Sequence, residues 1–98
     1  MKARLILDTK TLLSDGRIIQ RTVWKLPQAT PNRPYGLKFR LYCGTAGETI
    51  VRYDNETGKN AHRHVGPGET ESDYIFVSLV KLLDDFDKDI VRLSGEIT

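Results

Sequence analysis

The chain reads as an α+β protein, an antiparallel sheet of four to five strands built from two hairpins and packed by one C-terminal α-helix. Three observations predict it. An Asp15-Gly16 dipeptide of the kind tight hairpin turns prefer lies between two apolar runs. From Tyr35 to Cys43 the residues alternate apolar and polar, as in a half-buried strand. Near the C-terminus, Leu79, Leu82, Leu83, Phe86, Ile90 and Leu93 recur at spacings that only a helical period explains.

The first hairpin joins Leu5–Leu13 to Arg17–Leu26. With Asp15-Gly16 as a two-residue loop, Leu13 faces Ile18, Leu7 faces Trp24 and Leu5 faces Leu26. Residues 27–34 hold three prolines, which forbid helix and remove ladder donors, so this is a connecting loop. In the second hairpin a three-residue loop, Thr45-Ala46-Gly47, sets Leu41 against Val51 and Phe39 against Tyr53. Lys38, Arg40, Tyr42, Arg52 and Asp54 then share the opposite, cationic face.

Residues 55–73 show no periodicity, a long stretch for so small a domain. Tyr74–Val77 is compatible with a short fifth strand or with the approach to the helix. The helix covers 78–93, with Ser78 as N-cap and Gly95 as its stop. Its outer face carries Asp84, Asp85, Asp87 and Asp89, expected to be solvated, with Asp84–Lys88 and Asp89–Arg92 at pairing distance along the helix.

Ninety-eight residues make one domain, 1–98, too small for a transporter or a large cofactor enzyme. The composition, 39% hydrophobic and 29% charged, is that of a globular protein. No apolar run approaches the ~18 residues of a membrane helix, and the N-terminal apolar stretch is too short for a signal peptide, so a cytoplasmic location is expected. The lone Cys43 suits a reducing compartment and a buried, unreactive role. The net charge of +2 hides an asymmetry: residues 1–66 carry twelve Lys or Arg against five Asp or Glu, and residues 67–98 three against eight. Such a split fits a basic nucleic-acid surface beside an acidic partner surface, or two halves that attract as they fold.

Acid and base candidates concentrate in the unpatterned stretch, where His62-Arg63-His64 follows Lys59 and precedes Val65-Gly66-Pro67-Gly68. The histidines are candidates for general acid and base in phosphodiester cleavage, with Arg63, Lys59 or Arg52 stabilising the phosphorane. A lesser alternative makes them, with Asp54, metal ligands, although two-residue spacing is a weak metal signal and no further ligands converge, and the plainest reading is exposed loop residues that bind an anion or nothing. Phosphate-loop glycine motifs and the nucleophile elbow are absent, and no cofactor is expected.

The runs Val51-Arg52-Tyr53-Asp54-Asn55-Glu56-Thr57-Gly58-Lys59, His62-Arg63-His64-Val65-Gly66, Tyr74-Ile75-Phe76 and Leu82–Ile90 resemble the TumE-type toxins of type II toxin-antitoxin systems. Val23–Pro27, Tyr35-Gly36 and Lys38-Phe39-Arg40 extend the resemblance over nearly the whole chain. The sequence departs from the family pattern at Asn60-Ala61, where a glycine and then an aspartate are expected before the first histidine. The resemblance implies a growth-arresting protein neutralised by an antitoxin, typically one with a DNA-binding helix-turn-helix domain, for which the acidic helix is a candidate surface. With the basic sheet face it suggests an RNA-acting endoribonuclease that needs no metal. His62, His64 and Arg63 are then expected at the chemistry and Arg52, Tyr53, Asp54, Lys59, Lys38 and Arg40 around the RNA, with Tyr42 or Tyr53 against a base. The alternatives are a non-catalytic RNA- or protein-binding module and an inactive remnant of the family. A homodimer is compatible with either.

Overall fold

The computed structural model describes residues 2–31, 33–55 and 60–97. Six strands form one antiparallel sheet in chain order: β1 (Arg4–Leu12), β2 (Ile18–Lys25), β3 (Leu37–Thr45), β4 (Glu48–Asp54), β5 (His62–Val65) and β6 (Thr70–Asp73). Among the described residues a single helix, α1 (Leu79–Ser94), packs on one face across β4. Its stripe meets the sheet as the spacing predicts: Leu82, Phe86 and Ile90 are buried against Ile19, Val23, Phe39, Leu41, Cys43 and Val51. The Ser78 hydroxyl accepts from the Lys81 N–H and caps the first turn. Burial raises the Cys43 thiol above its ordinary pKa, as befits a small core side chain.

The α+β class with one C-terminal helix is as expected, but the sheet has six strands rather than four or five. The additional pair comes from the stretch read as unpatterned: β5 and β6 form a hairpin closed at Gly66–Glu69, where the Glu69 N–H bonds the Gly66 carbonyl at 2.9 Å. Tyr74–Val77 forms no strand and runs as a connector into the helix.

Both long hairpins differ in register from the sequence reading. In the first, Leu13 N–H donates to the Arg17 carbonyl at 2.8 Å and Gly16 N–H to the Leu13 carbonyl at 3.0 Å. The loop is therefore three residues, Ser14-Asp15-Gly16, with Gly16 at φ +93 in the left-handed position. One extra loop residue slips the ladder by one, so Leu12 faces Ile18 and Leu7 faces Val23, and a bulge between Leu5 and Leu7 sets Leu5 opposite Trp24. In the second hairpin Ala46 and Gly47, at φ 52 and 78, form a two-residue turn, and a bulge follows between Cys43 and Gly44. Leu41 thus faces Tyr53 and Cys43 faces Val51. This differs from the expected register by two residues, which preserves the faces, so Lys38, Arg40, Tyr42, Arg52 and Asp54 do share one side.

Arg17 fastens the far end of the helix. Its guanidinium pairs with Asp15 at 2.8 Å and donates to Ser94 Oγ and the Gly95 carbonyl at 2.9 Å, and to the Glu96 carbonyl. A cation at a helix C-terminus also meets the negative end of the macrodipole.

Candidate functional site

The face away from the helix is the open face, and strand register orders its side chains into two rows. One row runs Thr22, Arg40, Asp54, His62, Asp73 and the other Gln20, Tyr42, Arg52, His64, Glu71. Successive members stand on adjacent strands, about 5 Å apart. The histidine rings lie 6.5 Å apart between centroids.

Two ion-pair systems knit these rows. Arg52 Nε lies 2.8 Å from Asp54 Oδ2, and its Nη1 lies 2.8 Å from Glu69 Oε1. Glu69 occupies the left-handed region at φ 48, a conformation that costs a non-glycine residue about 1 kcal/mol. Glu71 reaches both imidazoles, 3.9 Å from His62 Nδ1 and 3.6 Å from His64 Nε2. Asp73 lies 3.5 Å from His62 Nδ1. Among the described residues His62 Nδ1 and Nε2 are buried and make no hydrogen bond, and Asp54 and His64 beside them on this face are buried as well.

The Arg40 guanidinium lies over the Tyr42 ring at 5.1 Å from its centroid. Tyr42 itself folds over Gly44, where an added Cβ would fall 2.1 Å from its hydroxyl and 2.6 Å from the Glu48 carbonyl. Gly44→Ala is therefore expected to cost about 1–3 kcal/mol by displacing the tyrosine and the hairpin end, a loss that urea denaturation would register.

Arg63 and Tyr53 do not join this constellation. Neighbours along a strand point to opposite faces, so Arg63, between the two histidines, turns to the helix. There its Nε bonds Asp89 Oδ2 at 2.6 Å, and the Tyr53 hydroxyl donates to the same oxygen. Arg63, expected at a phosphorane, and Tyr53, expected against RNA, thus lie on the helix side of the sheet, away from the two imidazoles. Burial, then the Asp89 carboxylate, push the Tyr53 phenol well above its ordinary value. Asn55 is likewise structural: its side chain accepts from the Phe39 N–H and donates to the Leu37 carbonyl, both at 2.9 Å, extending the β3–β4 pairing by one step. Lys59 lies outside the described residues.

The acids of the helix are less exposed than expected. Asp84 pairs with Lys88 at 2.8 Å on the outer surface, whereas Asp85 accepts from the Tyr74 hydroxyl at 2.6 Å, Asp87 from Arg21 at 2.6 Å and Asp89 from Arg63 and Tyr53. Hydrogen bonds from Tyr74 and then Lys81 hold the Asp85 carboxyl below its ordinary value. Asp87 and Asp89 thus pair with cations of the sheet, Arg21 and Arg63, while Asp84 and Asp85 pair with lysines of the helix itself.

Glu69, Glu71 and Asp73 escaped the sequence reading because the β5–β6 hairpin that carries them shows no apolar period. The available signal was the Gly66-Pro67-Gly68 cluster flanked by His62–Val65 and Thr70–Asp73, two short segments of alternating character. Among the described residues these carboxylates offset the cations of the open face: Asp54, Glu69, Glu71 and Asp73 stand against Lys38, Arg40 and Arg52. Among the described residues no three His, Cys, Asp or Glu side chains converge as metal ligands, and no helix is long and apolar enough to cross a membrane. A cavity of about 300 Å³ opens on the other side of the sheet end, walled by Tyr35, Leu37, Phe39 and Phe76 with Asn60 and Asp73 at its polar edge.

Fold and site define a small two-layer protein that carries a histidine–carboxylate–arginine constellation on the uncovered face of its sheet. The family model described as Toxin TumE matches residues 2–94, and the chain belongs to that toxin family. Neither curated proteins nor solved structures give a match to it.

Proposed function

We propose that the chain is the toxin of a type II toxin-antitoxin pair and cleaves RNA as an endoribonuclease at its open face. The observation that carries this reading is the convergence of His62 and His64 on one anionic group, the Glu71 carboxylate. A phosphodiester entering between the rings would replace that carboxylate. One imidazole would take the proton of the ribose 2′-hydroxyl as its oxygen attacks phosphorus. The other would give a proton to the departing 5′-oxygen, leaving a 2′,3′-cyclic phosphate. Arg52 would stabilise the charge on the phosphorane, Lys38 and Arg40 would hold flanking phosphates, and Tyr42 offers a ring for base stacking. Glu71 and Asp73, with side chains 52% and 90% exposed, have room to swing aside.

Asp73 also bears on the Asn60-Ala61 departure. The carboxylate expected just before His62 is missing from the sequence, and Asp73 brings one beside that ring from β6, which favours an active protein over an inactive remnant. A purely electrostatic RNA-binding module needs an uncompensated basic surface, so the carboxylates across this face favour catalysis over simple binding. The antitoxin is proposed to be a protein with a helix-turn-helix DNA-binding domain, on the strength of the toxin family.

The test is to induce the wild type and a His62→Ala/His64→Ala variant in bacteria and follow growth and total RNA together. Purified proteins would be assayed on RNA in parallel. RNA fragmentation and arrest are expected from the wild type, with cleavage by the variant down about 10²–10⁴-fold. Arrest by both proteins with intact RNA would overturn the ribonuclease reading.

A further inference from the structure

Strand β1 forms one edge of the sheet, and its outer side meets no other strand among the described residues. The hydrogen bond from Leu13 N–H to the Arg17 carbonyl sets the phase of the β1–β2 ladder. From that phase, Thr11, Thr9 and Leu7 bond β2, whereas Leu12, Lys10 and Asp8 turn their backbone N–H and C=O groups outward. The outward groups form a template for another strand. Leu12 is 71% exposed and Ile6 41%, large apolar side chains at the two ends of this edge.

The side chains along it complement their own reverse. In Ile6-Leu7-Asp8-Thr9-Lys10-Thr11-Leu12, turning a second copy about Thr9 sets Asp8 of each copy against Lys10 of the other and Ile6 against Leu12. The alignment satisfies the ladder as well. Asp8 and Lys10 become hydrogen-bonded pairs because both aim outward, and Thr9 meets Thr9 as the non-hydrogen-bonded pair on the axis. Centring the pairing on Asp8 or on Lys10 instead would bring like charges directly opposite, which destabilises a sheet. The bulge at Ile6 ends the regular segment and so bounds the stretch open to pairing.

An edge lysine ordinarily discourages strand addition. Here Asp8, two residues away on the same face, supplies the countercharge that an antiparallel partner in this register can use. We infer that two copies of this chain pair through β1, antiparallel about Thr9, into one continuous sheet. The two-fold axis is normal to that sheet, so the open faces of both copies, with His62 and His64, lie on the same side of the dimer.

Charge exchange tests the inference. The wild type, Asp8→Lys, Lys10→Asp and Asp8→Lys/Lys10→Asp would be compared by sedimentation velocity over a range of concentrations, with circular dichroism as the check on folding. Each single change makes both cross-strand pairs repulsive and is expected to weaken dimerisation roughly tenfold or more. The double exchange restores both pairs and should recover the dimer. Lys10→Pro removes an outward donor without touching the β2 ladder and should yield a folded monomer. A wild type that stays monomeric, or a dimer indifferent to the single exchanges, would overturn the inference. A monomer whose β1 amides become protected from hydrogen exchange only when the antitoxin is added would do so too, and would give the edge to that partner.

Discussion

Replacing Phe86 with alanine is expected to leave the protein at the margin of folding. The ring is fully buried, stands edge-on to Tyr53 at 5.9 Å and carries the Arg21 guanidinium 5.6 Å from its centroid. It is also the middle residue of the Leu82–Phe86–Ile90 stripe, the three buried residues by which the helix meets the sheet. Truncating a buried phenylalanine costs about 3–5 kcal/mol through lost transfer energy and the cavity left behind, and a domain of this size has roughly 5–15 kcal/mol in total. The melting midpoint should fall by about 15–30 °C, followed by circular dichroism or by fluorescence of the lone Trp24. Val80→Ala on the same helix, at a side chain that is 80% exposed, should change stability by less than about 0.5 kcal/mol. Equal effects at the two positions would mean that the helix does not seat as described.

The elements legible in the sequence are those with one apolar and one polar face. The stripe from Leu79 to Leu93 and the alternation from Tyr35 to Cys43 each bury one side, and burial writes the period into the composition. Ser78 and Gly95 mark the ends of the helix because terminal backbone groups need specific partners. Strands β5 and β6 left little trace. His62 and His64 face the open side and Arg63 an ion pair, so polar residues occupy both faces of β5, and Thr70–Asp73 is exposed throughout. A period detected by hydrophobicity fails where both faces are polar, and that happens here at the site itself.

Register was harder to read than face. The Asp15-Gly16 pair belongs to both two- and three-residue loops, and the choice between them moves every residue of the ladder by one. In the second hairpin the tighter turn and the bulge together shift the pairing by two, so the grouping of Lys38, Arg40, Tyr42, Arg52 and Asp54 came through although the partners did not. For the candidate site this parity matters more than the register. His62 and His64 were legible as residues, but their carboxylate neighbours come from β6, and the side chain between them, Arg63, belongs to the other face.

The second large effect is expected at Asp89, where the strands that carry the site are tied to the helix. Its carboxylate accepts from Arg63 at 2.6 Å, from the Tyr53 hydroxyl and from Arg92 at 2.9 Å, and its side chain is 13% exposed. Burial alone would raise this carboxyl, but the bonds from Arg63, Tyr53 and Arg92 outweigh it, so Asp89 titrates below its ordinary 3.8. A group depressed in this way stabilises the fold fully above its unfolded pKa and loses that contribution as pH falls through the unfolded value toward the folded one. Asp89→Asn leaves Arg63 without a countercharge and should cost about 2–3 kcal/mol at pH 7 in urea denaturation. The gap between wild type and variant should close as pH drops below about 4. A constant gap down to acid pH would mean that packing rather than charge accounts for the loss. Because Arg63 stands between His62 and His64 on the same short strand, loosening it from the helix should also disturb the alignment of the two imidazoles. The proposed RNA cleavage should therefore be weaker in the Asp89→Asn variant at temperatures where it is still folded.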